Sequence, residues 1–216
     1  MHLHVCSCPE FFERLPGVAR SLVRAVPLER RGGQALSIVF LGRLGDRKGT
    51  PELLLGPGAL QDAGVGFEAV LAGDGEIDRF ASLARSLGID GRSGFPGWVP
   101  AEVAEQLLGA AHVLVLPSHA EGLPVSVLEA FAHARTVVTT DVGALPDIVA
   151  PGENGLIVPP GDVASLAEAL EWLARDHELR VRLAAGARAT WEELLSPAVC
   201  APRLVTVWRR ATAAGR

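Results

Sequence analysis

Apolar and polar positions fall into blocks along most of this chain. The run Leu36-Ser37-Ile38-Val39-Phe40-Leu41 is apolar at five of six positions and stops at Gly42, which predicts a short strand buried on both faces. Similar runs predict strands over residues 67–71, 112–116, 136–140 and 155–158, and a weaker one near 93–95, where Ser93-Gly94 replaces the usual apolar pair. Between them, apolar residues recur at helical spacing over 77–87, 101–110, 124–133 and 163–174. In the last of these, Leu166, Leu170 and Leu173 share one face and Asp162 is the expected N-cap. Helical patterns then continue to the end, including residues 198–213. Short apolar strands alternating with helices predict an α/β fold. It is a single Rossmann-like domain with one parallel sheet of about six strands, helices on both faces and a helical C-terminus.

The first 35 residues follow no such pattern. They hold Pro9, Pro16, Pro27 and the cluster Glu29-Arg30-Arg31-Gly32-Gly33, and are expected to form an extension or linker with at most a short helix near residues 18–25. The expected division is therefore an extension over 1–35, the Rossmann-like domain over 36–197 and a C-terminal helix over 198–216. The whole chain of 216 residues, 49% hydrophobic and 21% charged, has ample material for one core.

Charge and composition remove several function classes. The net charge is −5 and the arginines are scattered, so no nucleic-acid partner is expected. No apolar run approaches the ~20 residues that span a bilayer. The start, MHLHVCSCPEFF, lacks the basic segment and apolar stretch of a secretory signal. Three cysteines (Cys6, Cys8, Cys200) make no disulfide framework, so a cytoplasmic location is expected. Membrane contact, at the inner face through Trp208-Arg209-Arg210, is expected to be peripheral at most. Of the 20 basic residues only one, Lys48, is lysine.

In a parallel sheet, ligands sit beyond the carboxyl ends of the strands. After the first strand comes Gly42-Arg43-Leu44-Gly45-Asp46-Arg47-Lys48-Gly49, a glycine-bounded loop with two cations that suit a diphosphate. The bland alternative is a solvated turn with ordinary surface charges. After the fourth strand comes Ser118-His119-Ala120-Glu121-Gly122-Leu123-Pro124, followed by a predicted helix containing Glu129. Backbone N–H groups around Gly122 and Leu123 would open toward the site, as they do where a helix start binds an anion. Glu129 stands among apolar helix positions, where a carboxylate is costly without partners; a ribose diol would satisfy it. The alternative is an ordinary surface glutamate.

Six segments in order carry a family resemblance: Gly42-Arg43-Leu44 with Lys48-Gly49; Ala72-Gly73-Asp74-Gly75; Phe95-Pro96-Gly97-Trp98-Val99; Leu116-Pro117-Ser118 running into Glu121-x7-Glu129; Asp141-Val142-Gly143-Ala144-Leu145-Pro146-Asp147; and Gly152-Glu153-Asn154-Gly155-Leu156-Ile157-Val158. Over residues 36–188 the chain resembles the C-terminal, nucleotide-sugar-binding domain of a family 4 retaining glycosyltransferase with the GT-B fold (glycosyl transferases group 1). The resemblance implies that Arg43 and Lys48 hold the donor diphosphate, with Gly42 and Ser118 beside it. It makes Glu121 the catalytic residue, hydrogen-bonding the donor sugar near its reacting carbon. The amides of Gly122 and Leu123, preceding Pro124, would contact sugar hydroxyls or phosphate, Glu129 would bind the ribose, and Phe95 and Trp98 would border the base. The donor is a nucleoside-diphosphate sugar, no other cofactor is implied, and no metal is expected because the cations do its work.

The chain departs from that family in one large respect and several small ones. Only about 35 residues precede the first strand, too few for the acceptor-binding Rossmann domain. An acceptor domain from another chain is therefore expected. Alternatives are a truncated, non-catalytic domain that at most binds nucleotide sugar, and a sugar-nucleotide epimerase, which the Glu121-x7-Glu129 segment disfavours. Gly56-Pro57-Gly58 is expected to interrupt the helix after Lys48, and Asp147 stands where glutamate is usual. His2, His4, Cys6 and Cys8 alternate as a zinc set might, but a disordered terminus is favoured. Trp172, Trp191 and Trp208 are expected to be packing residues. His119 adjoins the site and is as readily a loop histidine as a donor contact.

Overall fold

The computed structural model describes residues 35–214. The short helix near 18–25 and the alternating His2, His4, Cys6 and Cys8 lie outside the described residues.

Six strands form one sheet: β1 (Leu36–Leu41), β2 (Phe67–Ala72), β3 (Ser93–Gly97), β4 (Val113–Leu116), β5 (Thr136–Thr140) and β6 (Gly155–Val158). All five pairings are parallel and the order is β3-β2-β1-β4-β5-β6. The chain winds outward from β1 in one direction and then restarts from β4 in the other. The switch between β1 and β4 opens a crevice at the carboxyl ends of those two strands. The strands read as apolar runs because both faces are covered: Phe40, Val113, Leu114, Val115 and Val137 are all fully buried.

The covering helices are α1 (Thr50–Asp62), α2 (Ile77–Ser86), α3 (Ala101–Ala110), α4 (Val125–Ala132), the short α5 (Leu145–Ile148), α6 (Val163–Arg175) and α7 (His177–Thr190). A π-helical turn (Trp191–Leu195) leads into the C-terminal α8 (Pro197–Ala214). In α6 the side chain of Asp162 accepts the Ser165 N–H at 3.0 Å, the N-cap that the sequence predicts.

Two expectations are corrected, and one is borne out. The helix after Lys48 is not interrupted: α1 runs through Gly56-Pro57-Gly58 for 13 residues. Tertiary packing overrides local propensity there, because the α1 face holding Leu53, Gly56, Pro57 and Leu60 is buried. A Cβ on Gly56 would lie 3.2 Å from Leu166 and 3.5 Å from Leu170, so its missing side chain lets α6 come close. The weak third strand forms as expected, over Ser93–Gly97, as an edge strand whose pairing shifts register between Val70 and Ala72. Finally, Trp172 and Trp208 are 62% and 65% exposed, so neither packs in the core. In α6 the buried stripe is Leu166, Ala169, Leu170 and Leu173, and Trp172 falls off that stripe. Trp191 does pack against the core, half-buried.

At the amino end of the sheet, His112 joins β4 to β1. Its backbone N–H donates to Ser37 O, and its ring Nδ1 accepts the Ser37 N–H, both at 2.9 Å. Burial, reinforced by Arg180, Arg135 and His177, lowers the imidazole from 6.5 to about 4.

Candidate functional site

The loops after β1, β2 and β4 meet at the switch point. The first loop makes a 3-10 turn (Asp46–Lys48) and is closed by the buried Thr50, whose Oγ1 accepts the Gly45 N–H at 2.9 Å and donates to Gly45 O at 3.1 Å. Gly49 ends the turn at φ 66°, against the loop after β4: a Cβ there would sit 2.0 Å from Pro117 O. Leu44 N–H donates to Asp74 O at 2.7 Å and Glu76 N–H to Leu44 O at 3.1 Å, which ties the loops after β1 and β2 together.

These ties produce two ion pairs. Lys48 Nζ lies 2.6 Å from Glu121 Oε1, with side chains 26% and 5% exposed. Ser118 Oγ donates to the same oxygen at 2.6 Å. Arg43 Nη1 lies 3.1 Å from Asp74 Oδ2 in an open, solvated pair. The loop after β4 is itself held from below: Thr140 Oγ1 donates to Ser118 O at 2.6 Å and Ala144 N–H to Gly122 O at 2.9 Å. Gly143, at φ 59°, lies so close to that loop that a Cβ would stand 2.3 Å from Glu121 O and 2.6 Å from Gly122 O.

A cleft of about 230 Å³ is lined by Gly42, Arg43, Gly73, Asp74, Trp98 and Glu129. Glu129 is solvent-accessible on α4, facing this cleft. Desolvation raises its carboxyl above the ordinary carboxylate range; His133 opposes the rise and Glu105 adds to it.

The structure thus places the predicted residues in distinct positions. Gly42, Arg43, Trp98 and Glu129 line one cleft. Lys48, Ser118 and Glu121 form a second, contiguous cluster. Ser118 is buried, with its hydroxyl on Glu121 and its carbonyl on Thr140, so it holds Glu121 in place. Gly122 and Leu123 are exposed ahead of α4, and the buried Pro124 is the residue at its N-cap. Phe95 stands apart: it is half-buried and packs against the core, whereas Trp98, 70% exposed, borders the cleft. Reading the residues singly missed Asp74 as the partner of Arg43, Thr140 as a brace and Glu52 as the partner of His119. The only local signal was that Asp74 and Gly143 sit in glycine-bearing segments just after strands. Among the described residues, no group of three or more His, Cys, Asp or Glu is arranged to hold a metal. Nor is any helix among them long and apolar enough to cross a membrane.

Residues 35–176 match the family model of glycosyl transferases group 1, about two thirds of the chain. The chain belongs to that family. It is 36% identical over 148 residues to the lipopolysaccharide core biosynthesis glycosyltransferase LpsE of Rhizobium meliloti, covering 68% of this chain and 42% of LpsE. It is 31% identical over 170 residues to the 2-deoxystreptamine glucosyltransferase of Streptomyces kanamyceticus, covering 78% of this chain and 43% of that enzyme. The chain thus spans about two fifths of the length of these relatives. In three dimensions it is similar to sucrose-phosphate synthase from Thermosynechococcus elongatus, with a TM-score of 0.78 at 25% identity over 91% of this chain and 49% of that one. It also shares its fold with Anabaena HepE, solved in complex with UDP: TM-score 0.76, 18% identity, covering 94% of this chain and 54% of that one. This group 1 glycosyltransferase domain therefore corresponds to one half of a GT-B fold.

Proposed function

We propose that this group 1 domain binds the donor of a retaining glycosyltransferase reaction, in which a glycosyl unit moves from a nucleoside-diphosphate sugar to an acceptor. The observation that carries the reading is the convergence at the β1/β4 switch point. A cleft lined by an exposed indole (Trp98), a carboxylate (Glu129) and a cation (Arg43) shares the loop after β1 with a second cation, Lys48, which is paired with the buried carboxylate of Glu121. The base lies by Trp98 and the ribose diol on Glu129, whose carboxylate accepts hydrogen bonds from the hydroxyls. The diphosphate lies between Arg43 and Lys48, with the exposed amides of Gly122 and Leu123 ahead of α4. Charge builds on the diphosphate as the glycosidic bond to it breaks, so prearranged cations stabilise the transition state more than the bound donor. Glu121, held by Lys48 and Ser118, is positioned to accept hydrogen bonds from the sugar close to its reacting carbon. HepE, which shares this fold, was solved in complex with UDP, which supports a nucleotide as the kind of ligand.

The acceptor site, on this reading, belongs to a second domain, since this chain matches only about two fifths of its relatives' length. Isothermal titration of the chain with UDP, GDP and ADP tests the donor site. At least one binds, and Lys48→Ala and Glu129→Ala each weaken it by about tenfold, the worth of one good charged hydrogen bond. Unchanged affinity in both variants refutes the site. Donor turnover by the chain alone refutes the need for a second domain.

A further inference from the structure

The geometry points to a role for two residues outside the donor-contacting set: we propose that His119 and Glu52 form a positioning pair that sets the separation of Lys48 and Glu121. The proposal rests on the donor-site reading above and deepens it. Glu52 sits in the first turn of α1, four residues after Lys48; His119 lies in the loop after β4, two residues before Glu121. His119 Nε2 and Glu52 Oε1 are 2.9 Å apart across 67 residues of sequence. The same two segments are joined by backbone: His119 N–H donates to Arg47 O at 2.9 Å, and Arg47 Nε donates to Ala120 O at 3.4 Å. Each segment therefore carries one member of the Lys48–Glu121 pair and one member of the His119–Glu52 pair.

The burial of Glu52 makes the pair more than a surface contact. Its side chain is only 16% exposed, and Oε2 is buried with no hydrogen-bond partner among the described residues. The His119 ring partners this carboxylate through Oε1, alongside the field of the α1 N-terminus. Remove the ring and a largely buried carboxylate is left without a partner. It regains water by swinging outward or shifting the first turn of α1, and that turn follows directly on Lys48-Gly49. Gly161, in the loop before α6, lies against the ring edge: a Cβ there would stand 3.5 Å from Cε1.

The test is a double-mutant cycle read by nucleotide affinity. The full chain is titrated with UDP, GDP and ADP, and the tightest binder is carried through His119→Ala, Glu52→Ala, the double variant and His119→Gln. Each single alanine variant is expected to weaken binding by about tenfold, and the double variant by no more than either single, because both remove one interaction. His119→Gln is expected to recover affinity to within about threefold, since its Nε2 stands as many bonds from Cβ as the histidine Nε2 and can donate to Glu52. Additive losses in the double variant overturn the proposal, because His119 then acts by touching the donor itself. Unchanged affinity in His119→Ala, with Lys48→Ala and Glu129→Ala still weakened, overturns it while leaving the donor site standing. Failure of the unaltered chain to bind any of the three nucleotides removes the donor site and this proposal together.

Discussion

His112 gives this domain an acid-sensitive joint whose size follows from its surroundings. Its Nδ1 accepts the Ser37 N–H at 2.9 Å, which requires that nitrogen to be unprotonated. Burial and the nearby cations lower its pKa from 6.5 to about 4. In the unfolded chain the ring charges as pH falls through about 6.5, while in the folded protein it stays neutral down to about 4. Between those values the unfolded state binds more protons, so stability is full above about 6.5 and is lost progressively as pH falls toward 4. The full gap corresponds to about 3 kcal/mol at 1.36 kcal/mol per pKa unit. The ring keeps some solvent contact, so we expect about 2 kcal/mol by pH 4.5. His112→Asn isolates this contribution. The asparagine Oδ1 stands as many bonds from Cβ as Nδ1, accepts the same N–H and does not titrate. Urea unfolding of both proteins at pH 7.5 and 4.5 makes the comparison, with all other carboxylates and histidines common to both. The variant is expected to gain about 2 kcal/mol on the natural chain between the two pH values. A stability difference that is the same at both refutes the reasoning.

Three other substitutions test the site and the scaffold behind it. Gly143→Ala forces a side chain onto φ 59° and to 2.3 Å from Glu121 O. It is expected to cost about 2 kcal/mol in thermal unfolding and to weaken nucleotide binding by displacing Glu121; unchanged values for both count against the brace. Lys48→Arg keeps the charge but replaces a compact ammonium with a planar fork, and is expected to weaken nucleotide affinity about tenfold in titration; full affinity shows that only charge matters there. Gly56→Val drives branched carbons into Leu166 and Leu170 and is expected to destabilise by about 2 kcal/mol in urea; a neutral result shows that α1 and α6 have room to separate.

How legible the molecule is depends on the range of the interaction concerned. The strands and most helices can be read because their signals are local: an apolar run such as residues 36–41, or the period of Leu166, Leu170 and Leu173. The course of α1 through Pro57 cannot be read locally, since the packing that retains it comes from Leu166 and Leu170, over a hundred residues away. Trp172 misleads for the opposite reason: its size predicts burial, but its place on α6 decides exposure. At the site, Lys48, Glu121 and Glu129 stand out singly, while their pairings do not. Lys48 and Glu121 are 73 residues apart and Arg43 and Asp74 are 31 apart. Both pairings exist because β1 lies between β2 and β4, and a strand order is not written in any one segment.

That strand order also determines how the site's charge is balanced before any donor arrives. Arg43 and Lys48 each already face a carboxylate, so under the donor-site reading a diphosphate must compete for both. The two pairs differ in what competition costs. Arg43 and Asp74 are 72% and 61% exposed, and such a surface pair is worth at most about 1 kcal/mol, so Arg43 is released to a phosphate almost freely. Glu121 is 5% exposed, and pulling Lys48 away from it would strand a buried carboxylate on a single hydroxyl. An ammonium carries three donors, however, and Glu121 takes one. Lys48 can therefore reach phosphate oxygens with the remaining two while still neutralising Glu121. In this arrangement the arginine would be the adaptable cation, and the one lysine of the chain would bind the diphosphate and fix the carboxylate beside it in the same geometry.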